Sequence, residues 1–441
     1  MIFTVLATVV AVLLVGAILL RAKRWSKTDL LRSIVERRGY RLQVHHITTA
    51  DGYILTLHRI VTKDYDNVAD GKKDENNNNH LKPNNRAYNS TRRPILIAHG
   101  LFCSSIDFLY TCSTINGKRS ESFVAYLLES GQHDVWLLNH RANCFSKGHL
   151  KLKPSDPQYW KFSIDQLAAE DLPLAVDYVR EQTDHQSISF VGFSQGNLLM
   201  FALLSERPEY ARRISPFIAW APAVFFGSMD SPIRGVARWA SLFRWLGGQY
   251  PLFRFTSLLG RTFRPTPIVQ WVTAILFRST MGRTNYWAHT RLPVWLHLFP
   301  SSGSTWQFVH HLQWVLSGRF TKFDYGSSRE NMAAYGVASP PEYPLERIPP
   351  ETRLVLMRAA TDTMTTDRDT DRLVDILRPR LPHLIDMKVR RSVWNHLDFI
   401  MNVNAGKVVY EPTMRLLEQF TAEQKTATAA VDVNKVAVKE K

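Results

Sequence analysis

The chain has 441 residues, of which 45% are hydrophobic, and its formal net charge is +16 with a pI near 9.8. This length can hold one large α/β domain with insertions or two smaller domains. Only three cysteines occur (Cys103, Cys112 and Cys144), in no metal-ligand spacing, which excludes a disulfide-rich secreted scaffold and predicts inert thiols. The basic balance predicts an anionic partner, either nucleic acid or a membrane surface.

The segment Met1 to Leu20 is apolar and uncharged, and a basic cluster with Trp25 follows it. Twenty such residues are long enough to cross a bilayer, so 1–20 is predicted to be a transmembrane or signal-anchor segment. By the positive-inside bias, the following domain would face the cytosol, at the endoplasmic reticulum or a lipid droplet. The alternative is a cleaved signal peptide and a domain in the secretory or lysosomal lumen.

The next segment predicts a short helix and a β-hairpin. Leu30 to Arg38 has helical character, and alternating runs at Tyr40–Val44 and Tyr53–Ile60 flank the turn residues Asp51-Gly52. The stretch 64–93 then breaks the pattern with a run of asparagines, lysines and few apolar residues. We predict a disordered surface insertion there.

Compact apolar runs at Pro94–Ala98, Asp134–Leu138 and Pro216–Ala221 predict buried strands. Between them, Ser163 and Gln166 form a capping box that opens a helix running toward Arg180. Strands that alternate with helices predict a mostly parallel sheet covered on both faces. Three acids in that helix are expected at the helix start or on the surface: Asp165, Glu170 and Asp171.

The stretch Gly192-Phe193-Ser194-Gln195-Gly196 has a serine with a glycine two residues away on either side. A β-prone run, Ser187–Val191, precedes it, and an apolar helix-forming run, Leu198–Ser205, follows it. This context predicts a nucleophile elbow, in which a sharp strand-to-helix turn exposes the Ser194 hydroxyl. The small glycines are needed because side chains would collide with the neighbouring backbone.

A serine nucleophile needs a histidine base and an acid, and in α/β-hydrolases the chain order is serine, acid, histidine. Asp362 follows the predicted strand Arg353–Arg358, and His396 follows the predicted last strand, Met387–Val393. We therefore predict a catalytic triad of Ser194, Asp362 and His396. The competing candidates lie in a predicted helix or before the last strand: Asp367, Asp369, Asp371, Asp375 and His383.

The oxyanion hole is predicted to combine the backbone N–H of Gln195 with that of Leu101 in the turn His99-Gly100-Leu101. His310 and His311 are adjacent, so they do not form a metal pair at helical spacing. We predict neither a metal nor a cofactor.

The segment 222–335 has no regular strand alternation but contains seven of the twelve tryptophans. Between Ser231 and Lys322 it has nine arginines up to Arg291 and no acid at all. Tryptophan with arginine is typical of a lipid interface, whereas so much bulky apolar content is unusual for nucleic-acid binding. Pro267–Phe277 is too short to span a membrane and predicts an interfacial helix or lid. The alternative is a helical cap whose tryptophans form its own core.

The chain resembles the acid lipase family of α/β-hydrolases, which includes gastric and lysosomal acid lipases and membrane-anchored fungal sterol ester hydrolases. The motifs that carry the resemblance are Asp51-Gly52-Tyr53, His99-Gly100-Leu101, Asp134-Val135-Trp136, Phe162-Ser163-Ile164-Asp165, Gly192 to Gly196, Phe323-Asp324-Tyr325-Gly326 and Asn395-His396-Leu397-Asp398-Phe399. The resemblance implies an α/β-hydrolase fold, with about eight mostly parallel strands and an inserted helical cap. It puts the family's serine, aspartate and histidine on Ser194, Asp362 and His396, and its oxyanion donors on Leu101 and Gln195.

Four departures from the family pattern favour a membrane-bound, cytosol-facing protein over a secreted one. Ala142 stands where the family usually has glycine, the Asn-rich insertion is foreign to the animal enzymes, Phe193 resembles the fungal branch, and the cap region has no cysteine.

The predicted organisation is an anchor at 1–20, hydrolase core at 28–221 and 336–420, a cap at 222–335 and a flexible tail at 421–441. The predicted function is lipid ester hydrolysis through an acyl-enzyme, as a sterol esterase or triacylglycerol lipase, at a membrane or lipid-droplet surface. No nucleic acid and no obligatory protein partner are expected. Two alternatives stay open: an acyltransferase, or a degenerate hydrolase that serves as a lipid-binding or scaffold protein.

Overall fold

A computed structural model describes residues 27–62, 92–109, 114–115, 118–119, 122–247, 251–252, 267–284, 299–389, 393–423 and 426. The predicted anchor, nearly all of the predicted insertion, most of the predicted tail and Cys112 lie outside the described residues. Cys103 and Cys144 are buried free thiols, as expected.

Nine strands form the main sheet, in the order β1-β2-β6-β3-β8-β9-β12-β13 with β7 beside β2. The strands are β1 (Tyr40–Thr48), β2 (Tyr53–Thr62), β3 (Arg93–Ala98), β4 (Thr114–Ile115), β5 (Lys118–Arg119), β6 (His133–Asn139), β7 (Gly148–His149), β8 (Ile188–Phe193), β9 (Ile214–Trp220), β10 (Pro251–Leu252), β11 (Gly303–Ser304), β12 (Leu354–Arg358) and β13 (Ile385–Lys388). From β6 to β13 the neighbouring strands are parallel, and β1 and β2 form the predicted antiparallel hairpin. The carboxyl ends of the parallel strands therefore share one edge of the sheet.

The last strand differs from the prediction. It begins at Ile385 and ends at Lys388, whereas Met387–Val393 was expected. Its partner β12 has only five residues, and the parallel register pairs Val355 with Ile385 and Arg358 with Lys388. The ladder ends there because β12 offers no further partner residue.

Helices cover both faces of the sheet. They are α1 (Lys27–Arg37), α2 (Phe123–Glu129), α3 (Leu172–Thr183), α4 (Gln195–Glu206), α5 (Ile233–Ala237), α6 (Ala240–Gly247), α7 (Pro267–Met281), α8 (Thr305–Ser317), α9 (Ser328–Tyr335), α10 (Asp367–Leu377) and α11 (Asp398–Met401). Shorter helical turns are Ser105–Phe108, Pro157–Trp160, Ile164–Gln166, Leu167–Asp171, Pro208–Arg212, Leu345–Arg347 and Gly406–Tyr410, and residues 411–423 are helical. One core packs around α3 and α4 and the other around α1 and α2. Both are continuous, as expected for a sheet buried on two faces.

The predicted capping box is confirmed: Ser163 accepts from Asp165 N–H, and the Gln166 side chain accepts from Ser163 N–H at 2.7 Å. Asp165, however, is no surface acid. Its carboxylate accepts hydrogen bonds from Phe323 N–H at 3.0 Å and from the Tyr343 hydroxyl at 2.5 Å. It therefore joins this helix start to Phe323 and Tyr343, in the segment that follows α8.

The prediction of a surface position is also wrong for Asp171, whose side chain is completely buried. Arg141 Nε donates to its Oδ1 at 2.7 Å, and Arg141 also donates to Asp51 at 2.5 Å. The guanidinium lies 4.2 Å from the centre of the Tyr53 ring. Burial raises the pKa of Asp171, and the Arg141 charge opposes that shift. A buried carboxylate needs such a partner, and through these two contacts Arg141, just after β6, is joined to Asp171 before α3 and to Asp51 in the hairpin turn.

Candidate active site

The nucleophile elbow has the geometry that its glycines permit. Strand β8 ends at Phe193, helix α4 begins at Gln195, and Ser194 between them has φ 52° and ψ −116°. A Cβ on Gly192 would lie 2.5 Å from the backbone nitrogen of Asn197, and one on Gly196 would overlap the carbonyl oxygen of Ala98. Larger residues at either position would force the turn open. Ser194 thus occupies a strained backbone region of the kind often found at functional sites.

Three further hydrogen bonds hold the elbow against β9 and the residues that follow it. Ser194 N–H donates to the carbonyl of Trp220 at 3.0 Å. The Asn197 side chain donates to the same carbonyl at 2.8 Å and accepts from Ala223 N–H at 2.9 Å. No local sequence signal marks Asn197 as a positioning residue, because its partners lie more than twenty residues away in the chain.

Asp362 lies in the turn after β12, and its carboxylate is fully enclosed by donors. Oδ1 accepts from the backbone N–H groups of Met364 at 2.8 Å and Thr365 at 2.9 Å, and Oδ2 accepts from the Thr365 hydroxyl at 2.7 Å. These bonds fix the orientation of the carboxylate. The spacing Asp362 to Thr365 is the signal that could have identified this local turn.

His396 lies between the other two predicted residues. Its Nδ1 is 2.7 Å from Asp362 Oδ2, and its Nε2 is 2.8 Å from Ser194 Oγ. A carboxylate only accepts, so Nδ1 carries the proton, and Nε2 is left to accept from the serine hydroxyl. The structure therefore brings Ser194, His396 and Asp362 into one hydrogen-bonded chain, which can move a proton off the serine.

The competing acids have other partners. Asp369 accepts from Ser228 N–H at 2.9 Å, while Asp367 pairs with Lys388 and Asp371 with Arg358. His383 lies in the turn before β13. None of these four residues reaches Ser194 in the part of the chain that the structure describes.

Leu101 and Gln195 follow the adjacent parallel strands β3 and β8. Their N–H groups have no hydrogen-bond acceptor among the described residues. A Cβ on Gly100 would lie 3.3 Å from the Ser194 Cβ, so the two turns are in contact. Both N–H groups therefore lie beside the serine, where an oxyanion would need donors.

His99 fixes the peptide that carries the Leu101 N–H. Its Nδ1 donates to the Gly100 carbonyl at 2.8 Å, and its Nε2 accepts from Asn143 Nδ2 at 3.1 Å. Burial lowers the pKa of His99 to about 4, which keeps the ring neutral near pH 7. A neutral ring can donate and accept at once, as this arrangement requires.

Two family models match the chain: a partial alpha/beta-hydrolase lipase region over residues 31–112, and the alpha/beta hydrolase fold over residues 93–263. Among curated proteins, it is 30% identical to lipase lipl-3 of Caenorhabditis elegans, covering 86% of this chain and 89% of that protein. It is also 30% identical to gastric triacylglycerol lipase of Bos taurus, with the same coverage. Human lipase member K is 27% identical over 88% of this chain and 91% of its own length. The chain belongs to the α/β-hydrolase lipase family. It is a carboxylic-ester hydrolase that acts on lipid esters, and the predicted fold and family are confirmed.

Among the described residues, which do not include 1–20, no helix is long and apolar enough to cross a bilayer. The comparisons contradict the predicted localisation of this lipase as a membrane-anchored protein with a cytosolic catalytic domain. The relatives matched over most of their length include gastric lipases of Bos taurus, Rattus norvegicus and Homo sapiens. The prediction was wrong, and these relatives fit the alternative of a lumenal enzyme. The anchor prediction rested on the apolar composition of 1–20, and that composition does not distinguish an anchor from a signal peptide.

Gln307 of the lipase, which lies on α8, was not among the predicted site residues. Its Nε2 donates to Gln195 Oε1 at 2.8 Å, and both side chains are buried. This bond connects the residue after the nucleophile to a helix more than a hundred positions along the chain. No local sequence signal marks such a pair.

Proposed function

We propose that the lipase cleaves its substrate through an acyl-enzyme on Ser194. The observation that carries this is the unbroken chain of short hydrogen bonds from Ser194 Oγ through His396 to Asp362. His396 takes the serine proton as Oγ attacks the ester carbonyl carbon, and then gives it to the departing alkoxide oxygen. Water, deprotonated by His396, releases the fatty acid and restores the serine. Asp362 holds the ring in the required tautomer throughout.

Leu101 and Gln195 are the proposed oxyanion donors. Two backbone N–H groups would bind the carbonyl oxygen as it gains negative charge. Each such donor contributes about 3 kcal/mol to transition-state stabilisation. The support is their position beside Ser194 and the absence of another acceptor among the described residues.

We also infer that residues 28–221 and 336–420 form the hydrolase core and 222–335 a cap. Strands β1 to β9 precede residue 221 and β12 and β13 follow residue 336. The described segment between them is helical except for the short pair β10 and β11. Helix α8 also supplies Gln307 to the elbow, which is consistent with a cap seated over the site.

The proposed partner surface is a membrane or another lipid–water interface, contacted by the outer face of the cap. Exposed tryptophans support this: Trp245 is 75% exposed, Trp271 66% and Trp239 56%. A neighbouring surface pocket of about 330 Å³ is lined by Arg234, Gly235, Arg238, Val315 and Leu316. Aromatic rings beside arginines suit an interface where anionic headgroups meet hydrocarbon.

Replacing the exposed tryptophans of this face should weaken binding to lipid and leave kcat/KM for a short soluble ester unchanged. Trp239→Ala combined with Trp245→Ala is expected to lower binding to phosphatidylserine-containing emulsions by about tenfold or more, because each ring loses apolar burial. Co-flotation measures binding, and a short soluble ester measures kcat/KM. Leu150→Ala is the matched control, since Leu150 is 66% exposed outside this face. Equal flotation of the double variant and the control would contradict the proposed surface.

The proposed substrates are triacylglycerols and sterol esters with long acyl chains. Relatives named gastric triacylglycerol lipase favour the first class. We expect wild-type protein to release oleate from triolein emulsions, and a parallel assay on cholesteryl oleate to decide whether sterol esters are also cleaved. Cleavage of short esters alone, with both emulsions untouched, would reject the long-chain substrate class.

A further inference from the structure

Five residues at the end of helix α7, Thr280 to Thr284, lie between the turn that bears Asp362 and the turn that bears His396. We call this segment the clasp. On the acid side, the Thr363 hydroxyl donates to the Thr280 carbonyl at 3.0 Å. The Thr361 hydroxyl donates to the Arg283 carbonyl, also at 3.0 Å. The two neighbours of Asp362 in the chain are therefore both bound to the clasp.

The clasp contacts the base side in the same way. His396 N–H donates to the Met281 carbonyl at 3.3 Å, and the side chain of Asn395 donates to the Gly282 carbonyl at 3.0 Å. Consecutive carbonyls of the clasp thus accept from the catalytic histidine's own backbone and from the residue before it. The two turns are joined through the clasp as well as through the Asp362–His396 bond.

A side-chain bond closes the arrangement. The Thr284 hydroxyl donates to Asp398 Oδ1 at 2.7 Å, while Asp398 Oδ2 accepts from Asn395 N–H, also at 2.7 Å. Asp398 is completely buried. The buried Asp398 carboxylate thus accepts one hydrogen bond from the clasp and one from the turn that bears His396. Hydrogen bonds to a charged acceptor are stronger than those between neutral groups.

Gly282 permits this close approach. Its φ is +103°, a conformation that residues with a Cβ rarely adopt. A Cβ there would overlap the Thr361 carbonyl oxygen and lie 3.4 Å from the Asn395 Cβ. Any larger residue must therefore push the acid turn and the base turn away from the clasp.

The clasp continues directly from a helix with an unusual surface. Helix α7 exposes Trp271, Ile275 and Leu276, whereas Phe277 is buried and packs against Phe299, with ring centres 5.7 Å apart. The apolar helix is thus fixed to the core at its carboxyl end. Its attachment point is the hydrogen-bond network of the clasp.

We propose that the clasp is a positioning element that sets the distance between Asp362 and His396 from the cap side. The inference rests on the proposed function, because these two residues are there the acid and the base of the triad. The clasp does not touch substrate. It acts by keeping the imidazole in line with both Ser194 and Asp362, where a displacement of about 1 Å can cost 10²-fold in rate.

Gly282→Ala tests the proposal, with Gly336→Ala as a control. Gly336 also has a positive φ, of 74°, but a Cβ there meets nothing within 4 Å, so the control adds a Cβ at a positive φ without the displacement. On a short soluble ester, we expect kcat of Gly282→Ala to fall about 100-fold with KM nearly unchanged. Gly336→Ala should keep wild-type kcat. A kcat of Gly282→Ala within twofold of the control would overturn the proposal.

A second measurement separates the clasp from the chemistry. Hydrogen–deuterium exchange in residues 359–366 and 393–400 should rise in Gly282→Ala and stay at the wild-type level in Gly336→Ala. Wild-type exchange in both turns of Gly282→Ala would reject the clasp, even in a protein that cleaves no ester. If the wild-type protein cleaves no ester, the proposed function is rejected instead of the clasp.

A milder variant keeps the test valid if Gly282→Ala does not fold. Thr363→Val removes only the hydroxyl that binds Thr280. It should lower kcat about fivefold, the usual effect of one lost hydrogen bond, and raise exchange in 359–366. Wild-type kcat together with wild-type exchange in this variant would contradict the proposal.

Discussion

Replacing Ser194 by alanine is expected to lower kcat for ester hydrolysis by about 10⁶-fold, the scale of loss when the serine of a triad is removed. The reason is geometric, because Ser194 Oγ is the atom that His396 Nε2 reaches at 2.8 Å. Ser205→Ala is the matched control: Ser205 is buried on helix α4, which follows Ser194, and its hydroxyl donates to the Ala202 carbonyl. The kcat of both variants is obtained from initial rates on a soluble ester. Activity of Ser194→Ala within tenfold of the wild type would exclude Ser194 as the nucleophile.

Ser194 and His396 should act as a unit. Once the serine is absent, His396 has no proton to accept, so adding His396→Ala to Ser194→Ala is expected to cause little further loss. A large additional loss in the double variant would mean that His396 acts in a different reaction step.

Asp362→Asn is expected to lower kcat by about 10⁴-fold, with KM nearly unchanged. Asp362 Oδ2 accepts the Nδ1 proton of His396 and the hydroxyl proton of Thr365. An amide nitrogen at that position favours the opposite tautomer, which leaves Nε2 protonated and unable to accept from Ser194.

Asp375→Asn is the control for this prediction, because Asp375 is an exposed acid on α10, outside the triad. It should keep wild-type activity in the same assay. Equal rates for Asp362→Asn and Asp375→Asn would show that the acid has been misassigned.

Local sequence signals were sufficient for the elements that build the site. The glycines around Ser194 mark the elbow because a Cβ on Gly192 would clash within the turn and one on Gly196 would clash with β3. Leu101, Ser194, Asp362 and His396 each follow one strand of the parallel sheet, namely β3, β8, β12 and β13. They therefore lie at the same edge of that sheet. In a parallel sheet all carboxyl ends lie together, so chain order alone predicts this proximity.

Contacts between distant segments could not be predicted in this way. Asp171 resembles an ordinary helix-start acid until Arg141, thirty residues earlier, is found against it. Gln307 and the clasp are likewise identified by partners far along the chain. Composition also gave the wrong localisation, because an apolar run is common to anchors and signal peptides.

Ala142 illustrates a departure with a visible cost. Its φ is +62°, in the left-handed region that favours glycine. Glycine is also the residue that the acid lipase family usually has at this position. Its N–H donates to the Ser146 carbonyl at 2.7 Å, and its carbonyl accepts from the Ser302 hydroxyl at 2.6 Å. These contacts offset a backbone strain of about 1 kcal/mol.

The central claim is that Ser194 is the reactive nucleophile of a lipid ester hydrolase. Treating the folded protein with a fluorophosphonate and mapping the modified peptide by mass spectrometry tests it most directly. We expect one adduct per chain, on the peptide that contains Ser194, and much slower labelling in His396→Ala. Folded wild-type protein that takes up no label, or takes it up on another residue, would contradict the account.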